Sequence, residues 1–295
     1  MNLKHRAARA SQPGKLHERW IEQLHEEVYM EGGSKTVLLT GATGGIGLAV
    51  SKRLANSGYS VVLAARDAGK LQLLSDELAR LFPGAGTYSC ISVDMTRDDS
   101  VKLFAEELAS RNVSLDGAVL MPPQDPPTND PLPSSEKWRE ILQNSFIGPL
   151  ALLRAAIATM QPDPANGKRC KIVIISGISS VQVLGHYASS NVIRCAWLAE
   201  AKTLAFALGD RGIHVNTLSL GGTLTPGYAA SLERRAAGAG MSIEQRLADE
   251  TANVPLKKYG SPVEVAVAVE GLLSPFSDHM TGVNILHDGG FTKAY

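Results

Sequence analysis

Short apolar runs recur along this chain, and each is followed by a stretch with helical spacing. Thr36–Thr40, Tyr59–Ala65, Thr87–Val93, Gly117–Met121, Lys171–Ser176, His214–Leu218 and Val283–Leu286 are predicted strands. Between them, Ile46–Ser57, Lys70–Leu81, Ser100–Arg111, Trp138–Met160, Ser190–Ala207 and Pro262–Leu273 are predicted helices. Strands alternating with helices of this length form βαβ units, and βαβ units build a parallel sheet. Runs such as VLLT, VVLAA and KIVIIS are apolar without alternation, which fits strands covered on both faces. The expected architecture is therefore α/β, a three-layer doubly wound parallel sheet in a single domain. One stretch breaks the rhythm. Pro122–Pro133 carries prolines at 122, 123, 126, 127, 131 and 133 and must be a non-helical loop.

The domain is expected to span 35–295. Ahead of it, 1–34 reads as a leader and an amphipathic helix. Met1 to Gly14 is basic and holds no acidic residue, and it lacks the apolar core of a secretory signal. Leu16, Trp20, Leu24 and Val28 then fall on one helical face, before Glu31-Gly32-Gly33-Ser34 ends the pattern.

Composition narrows the partners. Lys+Arg and Asp+Glu both number 29, so no net field favours nucleic acid or an acidic membrane. No continuous apolar run approaches the roughly 18–20 residues of a membrane span. Cys90, Cys170 and Cys195 are widely spaced and suit reduced thiols rather than a disulfide framework or a metal site. A cytoplasmic protein acting on a small molecule is expected, with neither nucleic acid nor membrane as partner.

The most specific motif is Thr40-Gly41-Ala42-Thr43-Gly44-Gly45-Ile46-Gly47. It leaves the first strand of the domain and opens a helix. Glycines there allow a tight turn, close approach of a pyrophosphate to the backbone, and a helix N-terminus aimed at the phosphates. Gly41, Thr43, Gly45, Ile46 and Gly47 are thus candidate dinucleotide contacts in what reads as a Rossmann fold. Arg66 ends the second strand, where an acidic residue would hold a ribose 2′-hydroxyl and an arginine accommodates a 2′-phosphate. Asp67 lies one position further on. NADP(H) is expected in preference to NAD(H).

TGATGGIG looks like the TGxxxGxG signature of the short-chain dehydrogenases/reductases. Three further stretches resemble the same superfamily in the right order: Asp94 and Met95 in VDMTRDDSV, GIHVNTLSLGG with Leu220 where proline is common, and TGVNILHDGG. The resemblance runs from about Thr36 to Gly290. It implies that the region of Asp94 and Met95 meets the adenine, that Thr225 meets the nicotinamide end, and that the protein assembles as a homodimer or homotetramer.

The resemblance also implies a catalytic Asn, Ser, Tyr and Lys, and here the chain departs from it. Asn144 in EILQNSFIGPL matches the asparagine. YASSN at Tyr187–Asn191 imitates YxASK, but counting back from KTLAFALGDRGIHVN puts the lysine position at Arg194, the tyrosine at Ser190 and the serine at Gly177. The NNAG loop after the fourth strand is likewise changed, to Leu120-Met121-Pro122-Pro123. The candidate catalytic set is therefore Asn144, Tyr187, Ser190 and Arg194, with Arg194 also facing the cofactor. Ser179 is a further source of a hydroxyl. Three readings stay open. One is a reductase of a carbonyl or conjugated enone with altered acid chemistry, in which Arg194 stabilises a developing oxyanion. Another is an ordinary carbonyl reductase with Tyr187 as the acid. The third is a catalytically silent dinucleotide-binding protein.

Residues of about 222–258 are expected to form a substrate lid, with Gly238 and Gly240 between two short amphipathic pieces. Arg234 and Arg235 in it read first as a solvated helix face, with attraction of an acidic substrate as the alternative.

Overall fold

The computed structural model describes residues 35–293, so the leader and amphipathic helix expected within 1–34 lie outside the described residues. Seven parallel strands form one sheet: β1 (Thr36–Thr40), β2 (Ser60–Ala65), β3 (Tyr88–Ser92), β4 (Gly117–Leu120), β5 (Cys170–Gly177), β6 (Ile213–Leu220) and β7 (Asn284–His287). Their order is β3-β2-β1-β4-β5-β6-β7, with Leu38 beside Val62 on one flank and Ala118 on the other. The chain moves outward from β1 in one direction to β3, then reverses through β4. The crevice above the C-terminal ends of β1 and β4 is the switch point, where sheets of this kind bind ligands.

Helices α1 (Gly45–Asn56), α2 (Ala68–Leu81) and α9 (Pro262–Leu273) cover one face, while α3 (Asp98–Ser110), the helical run Ser135–Ala158 and α6 (Ala188–Leu208) cover the other. Every residue of β2 and of β5 is buried, which is why neither strand shows polar alternation. Two core layers result. Leu39, Val50, Leu54, Leu63 and Val269 belong to one; Phe104, Leu152, Ile172, Trp197 and Val215 belong to the other.

The long helix expected over Trp138–Met160 is interrupted. It consists of α4 (Ser135–Leu142), a π-helical turn at Gln143–Ile147, and α5 (Gly148–Ala158). The wide turn lets the buried Trp197 indole of α6 donate to the Ser145 carbonyl at 2.8 Å, and the Phe146 ring meets the same indole edge-on at 5.0 Å. By length and composition, Ser135–Ala158 could cross a membrane. Its Leu152, Leu153 and Ala156 are instead packed into the protein core.

Candidate active site

The loop between β1 and α1 is built for a close ligand. Gly41 stands at φ +62°, and a Cβ on Gly47 would lie 2.1 Å from the Gly41 carbonyl oxygen, so only glycine lets α1 start this near the loop. Gly44 caps α1 without a side-chain hydrogen bond, and the first turn holds no acidic residue. The first N–H groups of α1 are therefore left without a side-chain acceptor, which fits a pyrophosphate. Thr225 and Pro226 pack against Gly45, and the Thr225 hydroxyl accepts from Tyr228 N at 3.2 Å, capping α7 (Pro226–Gly238).

At the end of β2, Arg66 is exposed. Among the described residues its guanidinium has no hydrogen bond or ion pair, whereas its carbonyl accepts from Ser92 Oγ at 3.0 Å. The neighbouring Asp67 is occupied otherwise: its Oδ1 accepts from Lys70 N at 3.0 Å and caps α2. Asp94 ends its own turn by accepting from Thr96 N and Thr96 Oγ1 at 3.0 and 2.7 Å, and Met95 is buried beside it.

A cavity of about 840 Å³ opens above the C-terminal ends of β4, β5 and β6, within the range of small-molecule sites. It is continuous with the dinucleotide loop through Ile46 and reaches the lid through Tyr228, Glu250 and Tyr259. Thr40 fixes its floor: its hydroxyl accepts from Met121 N at 2.7 Å, tying the end of β1 to the loop that leaves β4.

Arg194, projecting from α6, is the centre of this cavity's polar wall. Nε and one terminal nitrogen donate to Gln124 Oε1 at 3.2 and 2.8 Å, and the other terminal nitrogen donates to Ser179 Oγ at 2.9 Å. The guanidinium carbon lies 5.1 Å from the Tyr187 ring centre, within cation–π range. Gly177 makes room for it, because a Cβ there would sit 2.6 Å from the guanidinium carbon. A glycine where the strand ends and an arginine on the facing helix are thus one packing solution. Burial pushes the Arg194 pKa down and Tyr187 opposes that, but a guanidinium stays charged at any working pH.

Tyr187, Arg194, Thr225 and Ile46 all line the cavity; Asn144 and Ser190 do not. Ser190 faces a small void behind Arg194, together with Ser145, Ile141 and Pro123. A serine at this position is too short to carry a hydroxyl past the guanidinium. Asn144 lies in the π turn, and one residue further along a helix turns a side chain by roughly 100°. Ser145 is the member of this pair that faces α6. Asn191 also points away: it bonds Leu184 O at 3.1 Å and steadies the loop before α6. Sequence reasoning missed Gln124 and Asp125. Their one available signal was position, directly after β4 in a loop held rigid by flanking prolines. The loop is also hydrogen-bonded to the start of α6, where Ala188 N donates to Thr128 O at 3.1 Å.

The lid consists of α7 and α8 (Ile243–Glu250), with Gly240 between them at φ +66°. Glu250 is the knot of this lid. It accepts from Tyr228 Oη at 2.8 Å, from Arg246 Nε at 2.8 Å and from Arg235 Nε at 3.1 Å. Arg235 is therefore held inside the lid by Glu250, which it shares with Arg246, rather than presented free to a substrate. Burial alone raises the Glu250 carboxyl, and the hydrogen bonds from Tyr228, Arg246 and Arg235 more than reverse it, leaving the pKa below its ordinary value. A depressed carboxyl contributes stability that is full above its unfolded value, about 4.3, and is lost as pH falls through the folded value. Lid order is expected to weaken only at acid pH. Glu250→Gln should loosen it at neutral pH, making proteolysis within 237–241 about tenfold faster or more, as charge-assisted bonds contribute about 1.5–3 kcal/mol. Unchanged cleavage would remove Glu250 from this role.

Comparison with known proteins places this geometry in context. A family model described as Enoyl-(Acyl carrier protein) reductase matches residues 41–292. The diacetyl reductase [(S)-acetoin forming] of Staphylococcus epidermidis is 31% identical over 263 residues, covering 87% of this chain and 98% of that protein. The L-sorbose reductase of Gluconobacter frateurii, solved with NADPH and L-sorbose, superposes with a TM-score of 0.81 at 25% identity, covering 89% of this chain and 98% of that one. A short chain oxidoreductase of Pseudomonas aeruginosa PAO1, described as containing an atypical catalytic center and solved with NADPH, gives 0.77 at 25% identity, covering 88% and 98%.

Proposed function

The chain belongs to the short-chain dehydrogenase/reductase superfamily, and from that premise we propose that it is an NADP(H)-dependent reductase of a small carbonyl compound or conjugated enone that works with an arginine-centred acid site. The observation that carries this reading is Arg194. It is held by Gln124 and Ser179 against Gly177, in a cavity that begins at the dinucleotide loop. The similar proteins whose descriptions include NADPH support the cofactor, and the atypical catalytic center in the description of one of them supports an altered site.

Gly41–Gly47 would hold the pyrophosphate and Arg66 the 2′-phosphate. The bound nicotinamide supplies a hydride. The chain's own part is to orient the substrate oxygen and manage its charge. Arg194 has N–H groups beyond those taken by Gln124 and Ser179, and these can donate to an oxygen as negative charge develops on it. Tyr187 can deliver a proton to that oxygen, with the adjacent guanidinium stabilising the phenolate left behind. For an enone the same cation would steady an enolate. Ser190 is left as a packing residue.

The same proposal includes a cytoplasmic, homo-oligomeric protein. The homo-oligomeric part is supported by the exposed apolar side chains Ile147 on the 135–158 run and Val192 and Phe206 on α6. Titration with NADPH and NADH tests the cofactor assignment. Arg66→Ala should weaken NADPH by roughly 10- to 100-fold, the worth of one or two charge-assisted bonds, and leave NADH within twofold. Equal losses for both would sink the 2′-phosphate role.

A further inference from the structure

Three carboxylates line the cavity, and they are not equivalent. Both oxygens of Glu250 are taken by Tyr228, Arg235 and Arg246. Asp288 accepts from Gly290 N at 2.9 Å through one oxygen and from Thr292 N at 2.8 Å through the other. Asp125 accepts no hydrogen bond and forms no ion pair among the described residues, although it is half-buried. The nearby cation, Lys137, is paired with Glu140 at 3.0 Å. Arg194 turns to Gln124, the residue just before Asp125, and not to Asp125 itself. Burial raises the Asp125 carboxyl, and the opposing charge of Lys137 does not reverse it.

A half-buried carboxylate without a donor is an unfavourable arrangement unless something else satisfies it. On the opposite count, Arg194 is the only lysine or arginine among the residues that line the cavity, and its charge is directed at the reacting oxygen. An anionic substrate would meet Asp125 unpartnered, since the cation that acts on it, Lys137, is paired with Glu140. Resting on the reductase reading above, we propose that Asp125 is a specificity residue, selecting a carbonyl substrate that carries a protonated amine away from the reacting carbon. The ammonium would sit against Asp125 while the carbonyl oxygen faces Arg194; the rings of Tyr187 and Tyr259 also line the cavity.

Three ketones of one shape separate the possibilities: 4-aminocyclohexanone, 4-hydroxycyclohexanone and 4-oxocyclohexanecarboxylate. Each is titrated into the NADPH-loaded full chain, and its turnover is then followed. The ammonium ketone should bind at least about tenfold tighter than the carboxylate, with the hydroxyl between. Asp125→Asn should abolish most of that preference through KM, leave the hydroxyl ketone within about twofold, and leave NADPH affinity unchanged. Tighter binding of the carboxylate, or an equal loss for all three ketones in the variant, would overturn the proposal. The wild-type binding order is decisive even should the variant fold poorly. Preferential binding of the amine without turnover of any ketone would uphold Asp125 and sink the carbonyl-reductase reading instead.

Discussion

Replacing Arg194 by alanine is expected to lower kcat/KM by about 100- to 1000-fold, the usual consequence of removing a preorganised oxyanion donor. The loss has two parts. No positive charge remains beside the substrate oxygen, and Gln124 Oε1 and Ser179 Oγ lose the donor that orients them. Dinucleotide affinity should fall as well, since Arg194 lines the cavity that begins at the dinucleotide loop. Tyr187→Phe in the same assays should keep dinucleotide binding and lose turnover. An Arg194→Ala variant with unaltered kcat/KM would show that the guanidinium is merely a packing group for Gly177.

Gly47→Ala is the second large effect. The added methyl would lie 2.1 Å from the Gly41 carbonyl oxygen and 2.8 Å from the Ala42 Cα, and both neighbours are backbone. Neither can move by rotating a side chain, so α1 must shift away from the end of β1. Overpacking destabilises by about 1–3 kcal/mol, a backbone clash this close belongs at the upper end, and the shift opens the cradle meant for the pyrophosphate. Chemical denaturation should give a clearly lower midpoint, and NADPH binding should be lost even at denaturant-free equilibrium. A variant as stable as the parent would mean the loop has more slack than its geometry allows.

Much of this fold is legible because burial on both faces leaves a plain mark on a strand. β2 and β5 read as uninterrupted apolar runs, and each is covered over its whole length. The glycine loop is legible for a similar reason: a backbone that must approach another backbone admits one residue type. Arg194 can be located because α6 is unbroken from Ala188 to Leu208 and only the short turn Gly209–Arg211 separates it from β6, which keeps the count intact. The rest depends on contacts across the chain. Nothing local announces the π turn at Gln143–Ile147, and that turn decides which of Asn144 and Ser145 faces α6. Gln124 reaches Arg194 across 70 positions from a loop with no periodicity to read. The pairing of Arg235 is not legible in sequence because Glu250, 15 positions away, becomes its partner only when α7 and α8 fold together.

The most direct test of the account is hydride transfer itself. The purified protein is incubated with NADPH deuterated at the transferring carbon, together with 4-hydroxycyclohexanone or cyclohexenone, and the products are analysed by mass spectrometry. The account predicts deuterium in the product of at least one of them at a catalytic rate, with none above background for Arg194→Ala. Tight NADPH binding with no label in either product, from a protein whose cavity admits both compounds, would contradict it and favour a dinucleotide-binding protein without this reductase activity.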